Sequence, residues 1–479
     1  MHLRQLVIAA CIALAAGHAD AEAQTPSRDL TRLFHELQPL TSELDRYEHL
    51  MVTIPLLDKS DQLTARQLLA ACESELGLYN EAVRDFPLRN RLPAKLDLPD
   101  ASHWQAVNAV DAITGLARER RLVMINEAHH DGHTRELTLY LLPRLRALGF
   151  KYFAPEALGA DDAELMQRGY PVTTSGSEYL HDPIYGEIIR EAIRLGYIIV
   201  PYDLESGGAP QERENTQARN LYRQVFAKDP QAKLFVHAGY AHIDKRPGRL
   251  GQVRPMAMTL RRLSGIEPLS IDQTDIRETP KSETDALRTV ERRLRQSGAA
   301  TQASRTPLGM GPSGRPTPVS DPHEEIIATF QPTRAIVLQR IDGHEPWSAS
   351  PGTYDVSVIL PSTSTSPSDY RRGPYWLTLR GKRHAVLPPA NQGRRPDWLT
   401  LAGQRVAVPV DSRPCTGNYP CLVEAHYATE SSDATAADRY LFLRKDQNTL
   451  YLRPGSYRLR TIDSRGQVVD EHTIQAGSH

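Results

Sequence analysis

The chain has 479 residues, which at roughly 150 residues per domain predicts two to four domains. Its 57 basic and 58 acidic residues leave a formal net charge of −1. This balance argues against nucleic acid as a partner, and against docking on an anionic membrane through a polybasic segment.

The first residues have the pattern of a secretory signal peptide, which we assign to residues 1–23. Arg4 supplies the positive start, Leu6 to Ala16 form an apolar run too short to span a bilayer, and small-x-small cleavage sites follow. Cys11 lies in the middle of the apolar run, which disfavours lipid attachment there. No later run is long and apolar enough for a membrane span. We therefore expect a periplasmic or secreted protein of bacterial type, with no integral membrane segment after signal cleavage.

Three cysteines remain after the signal peptide. Cys415 and Cys421 bracket a turn-rich segment, and in an exported chain this spacing predicts a disulfide. A metal-binding pair is the alternative, but no second Cys or His pair lies nearby. Cys72 lies in a helical stretch rich in Ala and Leu and is expected to be a buried free thiol.

The apolar pattern divides the mature chain into three regions: residues 24–100, 101–375 and 380–479. The first is helical, because apolar residues recur at helical spacing from Leu30 onward. The second alternates short apolar strands with helices, which predicts an α/β domain with a mainly parallel sheet flanked by helices. The third alternates strands with Gly and Pro turns, which is typical of a small, sandwich-like all-β domain.

Six strands are predicted for the central sheet. Four precede a low-complexity segment: Leu122–Ile125, Tyr152–Ala154, Tyr197–Val200 and Lys233–His237. Residues 280–322 are rich in Ser, Thr, Pro, Gly and Arg and are predicted to be a disordered insertion. Two strands beyond it, Ala335–Leu338 and Tyr354–Leu360, are expected to complete the same sheet.

The ends of these strands carry the candidate site residues, because ligands of a parallel α/β sheet bind beyond the carboxyl ends of the strands. Each of the first four strands ends close to an acidic or imidazole side chain. In chain order these are Glu127, His129, His130 and His133, then Glu156, then Asp203, and finally His237 and His242. The coincidence over four strands predicts one shared site.

The residue types favour hydrolysis or metal binding. Glu127 and His129 share one side of an extended backbone, and a carboxylate beside an imidazole can orient it as a general base or activate water itself. A divalent metal ion is the first candidate cofactor, and its candidate ligands are Glu127, His129, His133, Asp203 and His242.

Structural roles compete with these functional ones. The tandem His129 and His130 point in opposite directions in a strand, so at least one of them is expected to be structural. His133 can cap the following helix, and Glu156 and Asp203 can accept backbone N–H groups. His237 lies within an apolar strand and is expected to be a core histidine.

Three motifs resemble one protein group. Residues 126–130 (Asn-Glu-Ala-His-His), 154–156 (Ala-Pro-Glu) and 236–242 (Val-His-Ala-Gly-Tyr-Ala-His) look like those of the erythromycin esterase-like group. Its superfamily also includes the ChaN-like haem-uptake proteins and the Tiki/TraB-like metalloproteases. The resemblance covers about residues 104–275.

This resemblance implies site residues as well as a fold. It implies Glu127, Glu156 and His242, with His129 or His130 depending on whether the family's shorter or longer Glu-to-His spacing applies. Arg213, in a helix similar to one that sends an arginine toward the site in relatives, is a further candidate. The chain departs from the family at Asn126, where the family has Gly.

Three functions follow as hypotheses. The first is an exported hydrolase, metal-assisted or not, that acts on an ester or peptide bond in a small-molecule or peptide substrate. The second is a ChaN-like haem- or metal-binding protein without turnover, with Tyr240 as a candidate haem ligand. The third is an interaction protein whose α/β site is catalytically degenerate.

Overall fold

The structure is a computed structural model that describes residues 27–88, 96–203, 209–279, 321–363 and 375–477. The predicted signal peptide and nearly all of the predicted insertion at 280–322 lie outside the described residues. None of the helices in the described part of the chain combines the length and apolar character that a membrane span needs.

An eight-stranded, mostly parallel sheet forms the centre of the molecule. Its strands in chain order are β1 (Trp104–Asn108), β2 (Leu122–Glu127), β3 (Tyr152–Pro155), β4 (Ile198–Ile199), β5 (Leu234–Gly239), β6 (Leu269–Asp272), β7 (Ile336–Arg340) and β8 (Val356–Ile359). The spatial order is β1-β7-β8-β6-β2-β5-β3-β4, and only the β1–β7 and β7–β8 pairs are antiparallel. The predicted α/β fold class is confirmed, as is the return of the chain to the same sheet after residue 322.

Two strands of this sheet are not predicted by the sequence pattern. β1 is an edge strand with mixed polar and apolar residues, so it lacks the apolar run that marks a buried strand. β6 has only four residues, and Ser270 and Asp272 interrupt its apolar character. Both side chains are buried and hydrogen-bonded, which explains how polar residues fit inside the sheet.

Eleven α-helices lie in the described residues. In chain order they are α1 (Arg28–Leu37), α2 (Glu43–Thr53), α3 (Lys59–Glu75), α4 (Tyr79–Asp85), α5 (Ala109–Ala117), α6 (His133–Ala147), α7 (Leu165–Arg168), α8 (Pro183–Arg194), α9 (Pro210–Leu221), α10 (Met256–Ser264) and α11 (Pro322–Phe330). A π-helical turn, Tyr222–Phe226, extends α9. Asp182 caps α8 by accepting a hydrogen bond from the backbone N–H of Ile184 at 2.8 Å.

The C-terminal region is built from small antiparallel sheets. Its strands are β9 (Tyr375–Leu379), β10 (Lys382–Val386), β11 (Val406–Asp411), β12 (Cys421–Tyr427), β13 (Asp438–Phe442), β14 (Gln447–Leu452), β15 (Gly455–Ile462) and β16 (Val468–Ala476). They form a β9–β10 hairpin, a β11–β14 pair and a four-stranded sheet in the order β13-β12-β15-β16. The predicted disulfide joins Cys415 to Cys421 at the start of β12, and Cys72 is the predicted buried free thiol.

The N-terminal helices share one hydrophobic core with these C-terminal strands. Leu33 of α1 and Leu44 of α2 belong to the same buried cluster as Leu441 of β13 and Leu450 of β14. Across this core, Nη1 of Arg439 donates to the Glu43 carboxylate at 2.8 Å. The two terminal regions therefore stabilise each other directly.

We expect a large-to-small substitution in this shared core to lower the stability of the protein. Leu33 is 1 % exposed, and Leu33→Ala should lower the free energy of unfolding by about 2–5 kcal/mol, because it leaves a cavity. Leu56 is 79 % exposed, so the matched control Leu56→Ala should change it by less than about 0.5 kcal/mol. Urea denaturation of both variants measures the difference, and equal losses would contradict the shared core.

Candidate functional site

Three neighbouring parallel strands bring the predicted site residues to one edge of the sheet. Glu127 is the last residue of β2, Glu156 directly follows β3, and His242 comes three residues after β5. Since β5 lies between β2 and β3, these side chains approach one another beyond the carboxyl end of β5. All three are at most 8 % exposed.

Glu127 is held by three cationic or imidazole groups. Its Oε1 lies 2.9 Å from Nδ1 of His129, while its Oε2 accepts a hydrogen bond from Nε of Arg135 at 2.5 Å and lies 3.1 Å from Nε2 of His237. Burial alone would raise the pKa of Glu127, but the Arg135 charge and the two histidine contacts hold it well below its usual range. Glu127 is therefore a carboxylate at neutral pH.

Arg135 connects this carboxylate to the rest of the molecule. The side chain is fully buried, and its Nη1 lies 2.9 Å from Oδ2 of Asp182, which also accepts a hydrogen bond from Ser74 at 3.1 Å. Because Ser74 belongs to α3, a chain of hydrogen bonds and one ion pair runs from the N-terminal helices to Glu127.

Glu156 holds a second set of partners. Its Oε1 lies 2.9 Å from Nη2 of Arg213 and 3.3 Å from Nε2 of His242, and its Oε2 accepts a hydrogen bond from the backbone N–H of Gly239. Burial would raise the pKa of Glu156, but His242 and Arg213 lower it below its usual range. Oδ2 of Asp203 lies 2.7 Å from Nη2 of the same Arg213. The predicted residues Asp203 and Arg213 therefore both lie at this edge of the sheet.

His242 is paired on both ring nitrogens. Its Nδ1 lies 2.7 Å from Oε1 of Glu214, on α9, and its Nε2 faces Glu156. Burial would lower the pKa of His242, but the carboxylates of Glu214 and Glu156 raise it to about 10. His242 is therefore an imidazolium at neutral pH.

His129 stands where the two glutamate clusters meet. An added Cβ on Gly239 would lie 2.6 Å from Nε2 of His129 and 3.1 Å from Oε2 of Glu156, so only glycine fits between them. Tyr179 stacks on the His129 ring at 4.0 Å between centroids, and Tyr240 packs against its edge at 5.1 Å. These contacts fix the orientation of the imidazole.

The other two histidines of the first strand end lie outside this cluster. His130 stacks on Phe86 at 3.5 Å between ring centroids, and its Nδ1 lies 3.2 Å from the Tyr240 hydroxyl. Burial, with the Arg277 charge, holds the pKa of His130 well below its usual range, so its ring is neutral.

His133 takes a different position at the start of α6. Its ring stacks on Trp398 at 5.0 Å, and its Nε2 lies 3.0 Å from the Glu136 carboxylate. The structure thus brings His129 to Glu127, places His130 between Phe86 and Tyr240, and pairs His133 with Glu136.

Asn126 has a structural role that a glycine could not perform. Its Nδ2 donates to the Tyr240 carbonyl at 2.6 Å and to Asp272 at 2.6 Å, and its Oδ1 accepts from the backbone N–H of Gln273 at 2.7 Å. Asn126 therefore ties the ends of β2 and β6 to the loop after β5.

The donor atoms of the site do not fit a metal ion. Both oxygens of Glu127 and of Glu156 face protein donors, and both nitrogens of His242 face carboxylates. No group of three or more His, Cys, Asp or Glu residues in the described ranges has the arrangement of a metal site. These carboxylate oxygens and imidazole nitrogens already have partners within the protein.

Sequence reasoning missed three residues of the site: Arg135, Asp182 and Glu214. They lie on helices or at a helix cap, and the strand-end rule does not apply to them. His237 was expected to be a core histidine. It is fully buried and its Nδ1 lies 2.9 Å from the Thr138 hydroxyl, but its other nitrogen faces Glu127, so it also supports the site.

Comparison with known protein families and with curated proteins finds no match. Among solved structures, the chain is similar to the type III effector HopBA1, with a TM-score of 0.26 and 15% identity over 38% of this chain and 87% of that chain. It is also similar to two structures described as bacterial protein toxins, both with a TM-score of 0.27. For one the identity is 14% over 56% of this chain and 57% of that chain. For the other the identity is 15% over 57% of this chain and 59% of that chain. At TM-scores this low the likeness supports no conclusion about activity.

Removal of Arg135 should be among the most destabilising substitutions in the site. Arg135→Met leaves the carboxylates of Glu127 and Asp182 buried without their cation, which should cost about 3–5 kcal/mol of unfolding free energy. Arg194→Met, at an exposed pair with Glu191, is the matched control and should cost less than about 0.5 kcal/mol. Urea denaturation measures both, and a small loss for Arg135→Met would show that the buried pair is not needed.

The pairing of His242 predicts a pH dependence of stability. Histidine titrates near pH 6.5 in unfolded chains, whereas the pKa of folded His242 is about 10. The stabilisation is therefore complete below pH ~6.5 and is lost as the pH rises toward 10. His242→Gln should cost a few kcal/mol at about pH 6 and much less at about pH 10, measured by urea denaturation at each pH. A cost that stays constant or grows with pH would contradict the assignment.

Proposed function

We propose that the protein is an exported hydrolase that cleaves an ester or peptide bond, with His129 as general base. The observation that carries this proposal is the distance of 2.9 Å between Oε1 of Glu127 and Nδ1 of His129. The carboxylate favours the tautomer with its proton on Nδ1, so Nε2 is the nitrogen that can accept a proton.

The position of Nε2 suits the activation of water. His129 and Glu156 are 7 % and 8 % exposed, whereas Glu127 is 2 % and Arg135 0 % exposed, so the imidazole lies on the outer side of the pair. Water gives a proton to Nε2 while its oxygen bonds to the carbonyl carbon of the substrate. His129 then returns the proton to the leaving alcohol or amine as the ester or amide bond breaks. Glu127 stabilises the imidazolium between these steps.

Positive charge beside Glu156 suits the negative charge that develops on the carbonyl oxygen. Arg213 and the imidazolium of His242 both face Oε1 of Glu156, which holds the two cations together. Glu156, Asp203 and Glu214 give the cluster three carboxylates against two cations, so the cations act on an oxyanion through their short distance to it and not through a net positive charge. Glu214 and Asp203 are positioning residues in this scheme, because they contact the cations and not the substrate.

Two further observations support the proposal. The motifs around Glu127, Glu156 and His242 resemble those of the erythromycin esterase-like group, although members of one superfamily differ in activity. The disulfide between Cys415 and Cys421 supports a periplasmic or extracellular location, because such bonds persist in oxidising compartments.

The test is hydrolysis of a panel of p-nitrophenyl esters and short chromogenic peptides. Glu127→Gln and His129→Asn should each lower kcat by about 100-fold or more, since each removes the general base or its orienting partner. Excess EDTA should leave the rate unchanged. Activity that survives both substitutions, or that disappears with EDTA, would overturn this mechanism.

Two histidine variants serve as controls for that experiment. His130→Asn discriminates between the tandem histidines and should retain much more activity than His129→Asn. His323→Asn removes a buried histidine of α11 that contacts the Leu360 carbonyl at 2.9 Å, just after β8 and two strands away from β2, and should leave kcat unchanged. Thermal unfolding of every variant separates loss of catalysis from loss of fold.

A further inference from the structure

A large cavity lies against the side of α6 that faces away from Arg135. Its volume is about 920 Å³, within the range of sites for small molecules. His133, Glu136, Tyr140 and Arg144 line it and recur at intervals of three or four residues, so they share one face of the helix. Arg135 lies on the other face. The cavity and the Glu127 site thus flank the same helix without sharing side chains.

The opposite wall belongs to the segment between β10 and β11. Trp398 in this segment stacks on His133 with an angle of 6° between the rings, and it meets the Tyr79 ring edge-on at 5.1 Å between centroids. The Glu136 carboxylate accepts a hydrogen bond from the Tyr140 hydroxyl at 2.9 Å and lies 3.0 Å from Nε2 of His133. These contacts give the cavity a fixed, flat aromatic wall.

Five arginines line the cavity against four carboxylates, which are those of Asp111, Glu136, Glu191 and Asp397. Arg144 and Arg334 come from the α/β domain, and Arg394 and Arg453 come from the C-terminal region. The Arg144 and Arg394 side chains are 59% and 70% exposed and pair with Asp111 and Asp397. Exposed pairs of this kind contribute about 0–1 kcal/mol, so these guanidinium groups can turn to a ligand at little cost.

We propose that this cavity is a second binding site, for a small amphipathic anion. The flat apolar part of the ligand packs against Trp398 and Tyr140. Its carboxylate or phosphate group binds the arginines at the rim, because a guanidinium can form two parallel hydrogen bonds with either group. This site is independent of the proposed hydrolysis, because Glu127, His129 and Glu156 are not among the residues that line it.

The test uses 8-anilinonaphthalene-1-sulfonate, an aromatic anion whose fluorescence rises on binding, with the folded full chain. We expect saturable binding of one probe per chain. The double variant Arg334→Gln/Arg394→Gln should weaken it about tenfold or more, because it removes two of the charged groups that bind the anion. Trp398→Leu removes the aromatic ring from the wall of the cavity and should weaken binding severalfold.

A matched control and two competitors complete the experiment. Arg261→Gln/Arg413→Gln removes two exposed arginines outside the cavity and should leave binding unchanged. Displacement of the probe by decanoate or by phenyl phosphate shows whether a carboxylate or a phosphate is preferred. Absence of binding, several probes per chain, or equal affinity in the rim double variant and its control would overturn the proposal.

Discussion

The buried guanidinium of Arg135 is the constraint on which the candidate site depends. It has no solvent contact and lies between Glu127 and Asp182, so its charge is balanced entirely by protein groups. Both partners also make contacts away from the guanidinium. Glu127 orients His129, while Asp182 caps α8 and accepts a hydrogen bond from the Ser74 hydroxyl of the N-terminal helices. A change in the packing of those helices would therefore reach the imidazole through polar, directional contacts.

The strand-end rule predicted much of the fold and of the site. Short apolar runs indicated the parallel strands, because only such runs fit a sheet covered on both faces. The same rule placed Glu127, Glu156, Asp203 and His242 at one edge, and the structure brings their clusters together there. The carboxyl ends of parallel strands always lie at the same edge of a sheet. The edge at which these four residues lie can therefore be predicted without knowledge of any side-chain contact.

Partner choice within the site could not be predicted, because it depends on contacts between distant segments. His129 and His130 are adjacent in sequence, and only the packing of Phe86 and Tyr179 determines which ring meets Glu127. Arg135 and Glu214 are ordinary charged residues on helices, where the usual expectation is a solvated face. Edge strand β1 and the polar strand β6 escaped prediction because hydrogen bonding to neighbouring strands, and not composition, makes them part of the sheet.

The hydrophobic core shared by the N-terminal helices and the C-terminal strands has a consequence for the order of folding. Glu43 and Arg439, which pair across it, are 396 residues apart in the sequence. A ribosome releases the helices long before it makes their partner strands, and contacts this distant are the slowest to form. The apolar faces of α1 and α2 therefore stay without these strands until synthesis has passed β13 and β14. The strands that complete the core of these helices are made some 396 residues after them.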